Sequence, residues 1–204
     1  MIKIIDYGMG NLKSVDKAFK KLGYQVEVVT DSRNLEDATG VVLPGVGAFK
    51  DAMNNLKEAG FINPLTKLIK EGRPFLGICL GLQLLFSSSQ EFGTTEGLDI
   101  ISGQVKKFPA DLGYKIPHIG WNNIKQKKDI ELYTNIEDES YQYFVHSYYV
   151  VPDDKEVIAT TTDYGIEFVS SIAKDNIYAV QFHPEKSSEV GLQILDNFAK
   201  SAKK

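Results

Sequence analysis

The single cysteine of the chain stands at the centre of Gly77-Ile78-Cys79-Leu80-Gly81, between an apolar run that begins at Phe75 and another that ends at Phe86. A glycine two residues to either side of a nucleophile permits a strand-to-helix turn too tight for β-carbons. Such an elbow pushes the central side chain out at the edge of a sheet. A helix starting directly behind it offers unpaired backbone N–H groups and a positive dipole end, both of which favour a thiolate. Taken alone, Cys79 reads equally as a small, packed apolar residue.

A cysteine that attacks an amide needs a base for its proton and an acid for the departing nitrogen, and one imidazole can serve as both. The chain has three histidines, His118, His146 and His183. His146 lies within Tyr143-Phe144-Val145-His146-Ser147-Tyr148, where a packed, hydrogen-bonded histidine is expected. His118 follows Ile116-Pro117, in a loop or at a strand end. His183 ends the apolar strand Ile177 to Phe182, as Cys79 ends its own, and ligands of open α/β sheets gather at the carboxyl ends of strands. Glu185, two residues on, can orient the imidazole, with Pro184 fixing the backbone between them. Cys79, His183 and Glu185 therefore form the candidate nucleophile, base and orienter. Pro44-Gly45-Val46-Gly47 also ends a strand, and its N–H groups, with that of Leu80, are candidates for an oxyanion hole. Gln83, polar among leucines, is expected at the mouth of the same pocket.

The elements that must position these groups follow from hydrophobic periodicity. Ile2 to Ile5 predicts a buried strand. Leu12, Val15, Phe19 and Leu22 line one face of a helix that Gly23 stops, and Gln25 to Val29 forms the next strand. Gly8-x-Gly10 before that helix imitates a dinucleotide fingerprint, but Lys13 occupies the third glycine position and is too large for it. A third strand, Gly40 to Leu43, precedes a helix with Phe49, Ala52, Met53 and Leu56. Another helix begins with Asn63 as cap and Pro64 in its first turn, and it ends at Gly72-Arg73-Pro74. The elbow then leaves as an apolar helix. Alternating strands and helices predict a flavodoxin-like, doubly wound α/β sheet that is mostly parallel. Beyond Gly97, Ile100 to Phe108, Tyr143 to Val151, Glu156 to Thr162 and Phe168 to Ala173 predict added antiparallel strands. A last helix spans about 187 to 200.

With 204 residues and 43% apolar composition, one domain over 1–204 is expected. A net charge of -4 provides no general attraction to nucleic acid. One cysteine excludes an intrachain disulfide and a cysteine-cluster metal site, and no cofactor is called for. No apolar run approaches the ~20 residues of a membrane span. A cytoplasmic protein is the expectation.

Taken together, these residues resemble the class I glutamine amidotransferases. Gly77-Ile78-Cys79-Leu80-Gly81-Leu82-Gln83 is similar to their nucleophile motif and Phe182-His183-Pro184-Glu185 to their base motif. Four stretches resemble one branch, the glutaminase subunits of imidazole glycerol phosphate synthase: Asp6 to Ser14, Pro44 to Gly47, Pro117 to Asn122, and His183 to Ser188. The resemblance implies hydrolysis of glutamine through a Cys79 thioester, with Val46 and Gly47 reorienting to complete the oxyanion hole and Gly47 and Gln83 binding substrate. It also implies a heterodimer with a (β/α)₈ cyclase that receives the ammonia, and it puts Asn11, Trp121 and Lys186 on the partner-facing side. The open alternatives are a glutaminase serving another synthase, such as anthranilate synthase, and a non-catalytic subunit that keeps the fold as a scaffold.

Overall fold

A computed structural model describes residues 1–111 and 113–203. The chain opens with β1 (Ile2–Ile5), α1 (Leu12–Lys21), β2 (Val26–Val29), β3 (Gly40–Gly45), α2 (Phe49–Glu58), α3 (Ile62–Lys70) and β4 (Phe75–Cys79). A single helical turn, α4 (Leu80–Gln83), leads into β5 (Phe86–Ser89), β6 (Thr95–Glu96) and β7 (Ile101–Lys107). Then come β8 (His118–Asn123), β9 (Lys125–Gln126), β10 (Tyr141–His146), β11 (Tyr148–Pro152), β12 (Ile158–Asp163), β13 (Glu167–Lys174), β14 (Ile177–Val180) and α5 (Ser188–Ser201).

Among the described residues the main sheet runs β2-β1-β3-β4-β14-β13-β11-β7-β5-β6, with β12 and β9 branching from β13. Its first five strands are parallel, and β14 turns the sheet antiparallel through β13, β11 and β7. This is the doubly wound order with antiparallel strands added to one side. The alternating side chains of the parallel strands explain the layering. Ile2, Ile4, Val42, Leu76 and Ile78 pack with Val15 and Phe19 of α1 and with Ile194, Leu195 and Phe198 of α5. Ile5, Val41, Leu43 and Phe75 face Phe49, Ala52 and Leu56 of α2 and Leu65, Leu68 and Ile69 of α3. Helix α1 stops where its spacing predicts: Gly23 takes φ 83°, and the Tyr24 N–H returns to the Phe19 carbonyl at 3.0 Å, a Schellman closure.

Four expectations need correction. The elbow leaves as one helical turn, and Phe86 already belongs to a strand that pairs with β7. β3 runs two residues past Leu43, because Gly45 is paired with Cys79 across β4. α3 starts at Ile62 with Phe61 at the cap position and no side-chain cap, so Asn63 lies inside it. The stretch Tyr143 to Val151 breaks at Ser147: β10 joins β8 in a separate two-stranded ribbon, while β11 enters the main sheet. No helix among the described residues is long and apolar enough to cross a membrane.

Candidate active site

Three strands of the parallel core, β3, β4 and β14, end side by side and carry the chemistry. Cys79 is the last residue of β4 and takes φ 55° and ψ -107°, a strained conformation for a residue with a β-carbon. Two glycines allow that geometry. A β-carbon on Gly81 would lie 1.9 Å from the Leu43 carbonyl oxygen, and one on Gly77 would lie 2.7 Å from the Gly81 oxygen. The bare backbone lets α4 press against β3 and β4, which aims Cys79 at the sheet edge.

Cys79 opens onto a cavity of about 260 Å³ lined by Val46, Gly47, Leu80, Gln83, Glu91 and the segment Val145 to Tyr148. That volume suits a ligand of amino-acid size better than a nucleotide. The sulfur is 3.9 Å from the Val145 carbonyl, to which its S–H can donate, and it accepts from the Gln181 amide at 3.7 Å. Gln181 Oε1 in turn accepts from Gln83 Nε2 at 3.1 Å, and the same Gln83 nitrogen donates to the Tyr148 carbonyl at 3.1 Å. Gln83 therefore lines the cavity as expected, with its amide nitrogen held from behind.

His183 follows β14 and is buried, as is the side chain of Glu185, whose Oε1 is 2.8 Å from His183 Nδ1. Burial alone would lower the His183 pKa. The Cys79 sulfur and the Glu185 carboxylate outweigh it and push the pKa up to about 10. Nε2 is buried and makes no hydrogen bond of ordinary geometry among the described residues. The loop is pinned at both ends: His183 N–H donates to the Tyr143 carbonyl at 2.9 Å, and Ser187 Oγ donates to the His183 carbonyl at 2.7 Å while accepting from Tyr143 N–H at 2.9 Å.

Of the oxyanion candidates, Val46, Gly47 and Leu80 all border the cavity, and Gly47 takes φ 99°. The three partner-side candidates sit on other elements. Trp121 is on β8 and 51% exposed, on the same ribbon face as Ile119 and Tyr141, each 60% exposed. Its ring centroid is 6.0 Å from that of Tyr143, and the exposed Lys186 ammonium is 5.8 Å from the same ring. Asn11 precedes α1, which packs against the turn carrying Lys186. Sequence reasoning missed Glu91 and Gln181. Gln181 had a visible signal, a lone polar side chain in the apolar run from Ile177 to Phe182, whereas Glu91 lies in an ordinary polar stretch. Among the described residues no group of three or more His, Cys, Asp or Glu side chains is placed to hold a metal ion.

Comparison with known proteins gives consistent results. The model of the family "Glutamine amidotransferase class-I" matches residues 3–202. The chain is 52% identical over 202 residues to the imidazole glycerol phosphate synthase subunit HisH of Geobacter sulfurreducens, covering 97% of each chain. It is 53% identical to the same-named subunit of Aquifex aeolicus, covering 98% of this chain and 97% of that one. Among solved structures, one described as a glutamine amidotransferase superposes with a TM-score of 0.77 at 16% identity, covering 100% of this chain and 99% of that one. PurLQS from Thermotoga maritima gives 0.76 at 15% identity, with 98% and 97% covered.

Proposed function

The chain belongs to the class-I glutamine amidotransferase family, and from that premise we propose that it is the glutaminase subunit of imidazole glycerol phosphate synthase, with residues 1–204 forming one glutaminase domain. The observation that carries the chemistry is Cys79, held at φ 55° on the wall of a small cavity with the buried His183–Glu185 pair behind it.

In this reading the Cys79 thiolate attacks the side-chain carbonyl carbon of glutamine, forming a C–S bond and an oxyanion. N–H groups around Val46, Gly47 and Leu80 stabilise that oxygen where its charge develops. The C–N bond then breaks as His183 gives its proton to the leaving nitrogen, and ammonia departs. Water adds to the glutamyl thioester, the C–S bond breaks and glutamate leaves. Glu185 keeps the imidazole oriented and favours its charged form, which agrees with the raised His183 pKa. Gly47 and Gln83 border the substrate. Glu91, a carboxylate on the cavity wall, matches the α-ammonium group of an amino acid.

The ammonia passes to a (β/α)₈ cyclase subunit, whose product is imidazole glycerol phosphate in histidine biosynthesis. Direct transfer is chemically sensible, because ammonia released to neutral water is mostly protonated and loses its nucleophilic lone pair. The exposed apolar face of β8 and β10 around Trp121, with Lys186 beside it and Asn11 at the start of α1, is the proposed docking side. Release of glutamate from glutamine, followed with and without the cyclase and its ribotide ligand, tests the proposal. The expected result is strong stimulation by the loaded partner; absence of glutamate under all conditions refutes it.

A further inference from the structure

Two buried histidines remain that the proposed chemistry does not use. His118 on β8 and His146 at the end of β10 face each other across the ribbon, and both are buried. His146 Nδ1 is 2.8 Å from the Tyr148 carbonyl. A carbonyl only accepts, so Nδ1 carries the proton and Nε2 is left as an acceptor. His146 Nε2 lies 3.0 Å from His118 Nδ1, so that nitrogen must donate. His118 Nε2 is then the acceptor, 3.4 Å from the amide nitrogen of Asn122, which also donates to the Asp163 carbonyl at 2.8 Å. Each hydrogen bond dictates the direction of the next, and both rings are fixed as neutral Nδ1–H tautomers. The His118 ring is also stacked on Tyr164, with centroids 4.0 Å apart, and on Phe144 at 4.9 Å.

The direction matters because of where the chain of bonds ends. The Tyr148 carbonyl accepts from His146 on one side and from Gln83 on the other, and Gln83 continues through Gln181 to the Cys79 sulfur. Val145, His146, Ser147 and Tyr148 themselves wall the cavity. Moving the His146 proton from Nδ1 to Nε2 would set it against the Nδ1–H of His118, donor against donor, and the Tyr148 carbonyl would lose its support. Burial opposes a second proton on either ring: it holds the pKa of His118 down to about 4 and is the main cause of lowering that of His146 to about 3.

We propose that His118 and His146 are positioning residues of the glutaminase, a directional hydrogen-bond relay that fixes the Tyr148 carbonyl and, through it, Gln83 and the cavity wall. The inference rests on the glutaminase reading above. Its role is in holding the ground-state shape of the cavity, so its loss weakens glutamine binding more than it slows the chemistry.

The test is steady-state glutamine hydrolysis by the complex with the cyclase and its ribotide ligand. His146→Leu and His118→Phe, which keep bulk but remove the donors, are expected to raise KM for glutamine about tenfold, the loss of roughly one hydrogen bond, with kcat changed less than about threefold. His146→Asn, whose amide nitrogen can stand where Nδ1 stood, is expected to restore KM to within about threefold. If His146→Leu does not fold, His118→Phe, which keeps the aromatic stack, carries the same comparison. Ring-nitrogen NMR of the wild-type protein gives an independent reading, with Nδ1–H expected at both histidines. Unchanged KM in both donor-less variants, an Asn variant no better than Leu, or an Nε2–H tautomer at His146 overturns the relay. A wild type that releases no glutamate refutes the glutaminase reading itself, and the relay's role in it.

Discussion

Mild acid should destabilise this protein, and the two relay histidines set the size of the effect. In the unfolded chain each histidine takes up a proton as pH falls through its ordinary value of 6.5; in the folded chain His118 waits until about pH 4 and His146 until about pH 3. The unfolded state therefore binds more protons throughout that window, and stability falls with pH. Between pH 7 and pH 5 the two groups together cost about 4 kcal/mol. His183 runs the other way. Its folded pKa is raised to about 10, so its contribution is complete below pH 6.5 and is lost as pH rises toward 10; between pH 7 and pH 5 it returns about 1 kcal/mol. Asp37, whose pKa is lowered chiefly by Lys3, and Asp196, where Lys200 and Tyr24 outweigh burial and lower it, act only in stronger acid. The net expectation is a loss of about 3 kcal/mol, a large share of an ordinary folding free energy. Urea unfolding at pH 7 and pH 5, followed by far-ultraviolet circular dichroism, measures it. His118→Phe should shrink the loss by about 2 kcal/mol, because one of the two buried neutral imidazoles is gone. A wild-type free energy that is unchanged or larger at pH 5 would refute the claim that both rings are held neutral.

The elbow and the ribbon supply two further expected outcomes. Gly81→Ala would drive a β-carbon to 1.9 Å from the Leu43 carbonyl oxygen, which is rigid backbone. A loss of at least about 3 kcal/mol in urea unfolding is expected, together with loss of glutaminase activity. A stable, active Gly81→Ala protein would show that α4 does not need its close approach to β3. Trp121→Ala removes a ring that is half exposed on the apolar ribbon face. It should weaken cyclase binding about tenfold or more by titration calorimetry while the subunit's own thermal unfolding midpoint stays unchanged. Equal affinity in the variant would move the docking side elsewhere.

How much of the fold and the site was legible in the sequence depended on how local each signal was. The parallel half could be read because every strand and helix carries its own punctuation, such as Gly23 after α1 and Gly72-Arg73-Pro74 before β4. The elbow was legible for the same reason, since Gly77 and Gly81 stand at fixed offsets from Cys79. The segment beyond the elbow was not legible. Leu82 to Phe86 is apolar except for Gln83, and such a short run fits a helix or a buried strand equally; pairing with β7 decides in favour of a strand from Phe86 onward. The break at Ser147 was hidden because β propensity is high on both sides, and only tertiary pairing sends β10 and β11 to different sheets. His146 was expected to be packed and hydrogen-bonded, which it is, but its partners His118 and Tyr148 arise from strand register and a tight corner that no local pattern announces. The residues around Trp121 did not by themselves say whether it faced core or solvent, and only the family resemblance put it on the partner-facing side; the alternation of β8 puts it outside with Ile119.

The central claim is that Cys79 becomes covalently linked to the substrate, and the most direct measurement is the mass of the peptide carrying it. The complex with the loaded cyclase is mixed with glutamine, quenched in acid during turnover and digested. A glutamyl adduct on Cys79 is expected in the wild-type protein, and none in Cys79→Ala. Glutamate released at the wild-type rate by Cys79→Ala, with no adduct on the wild type, would contradict it.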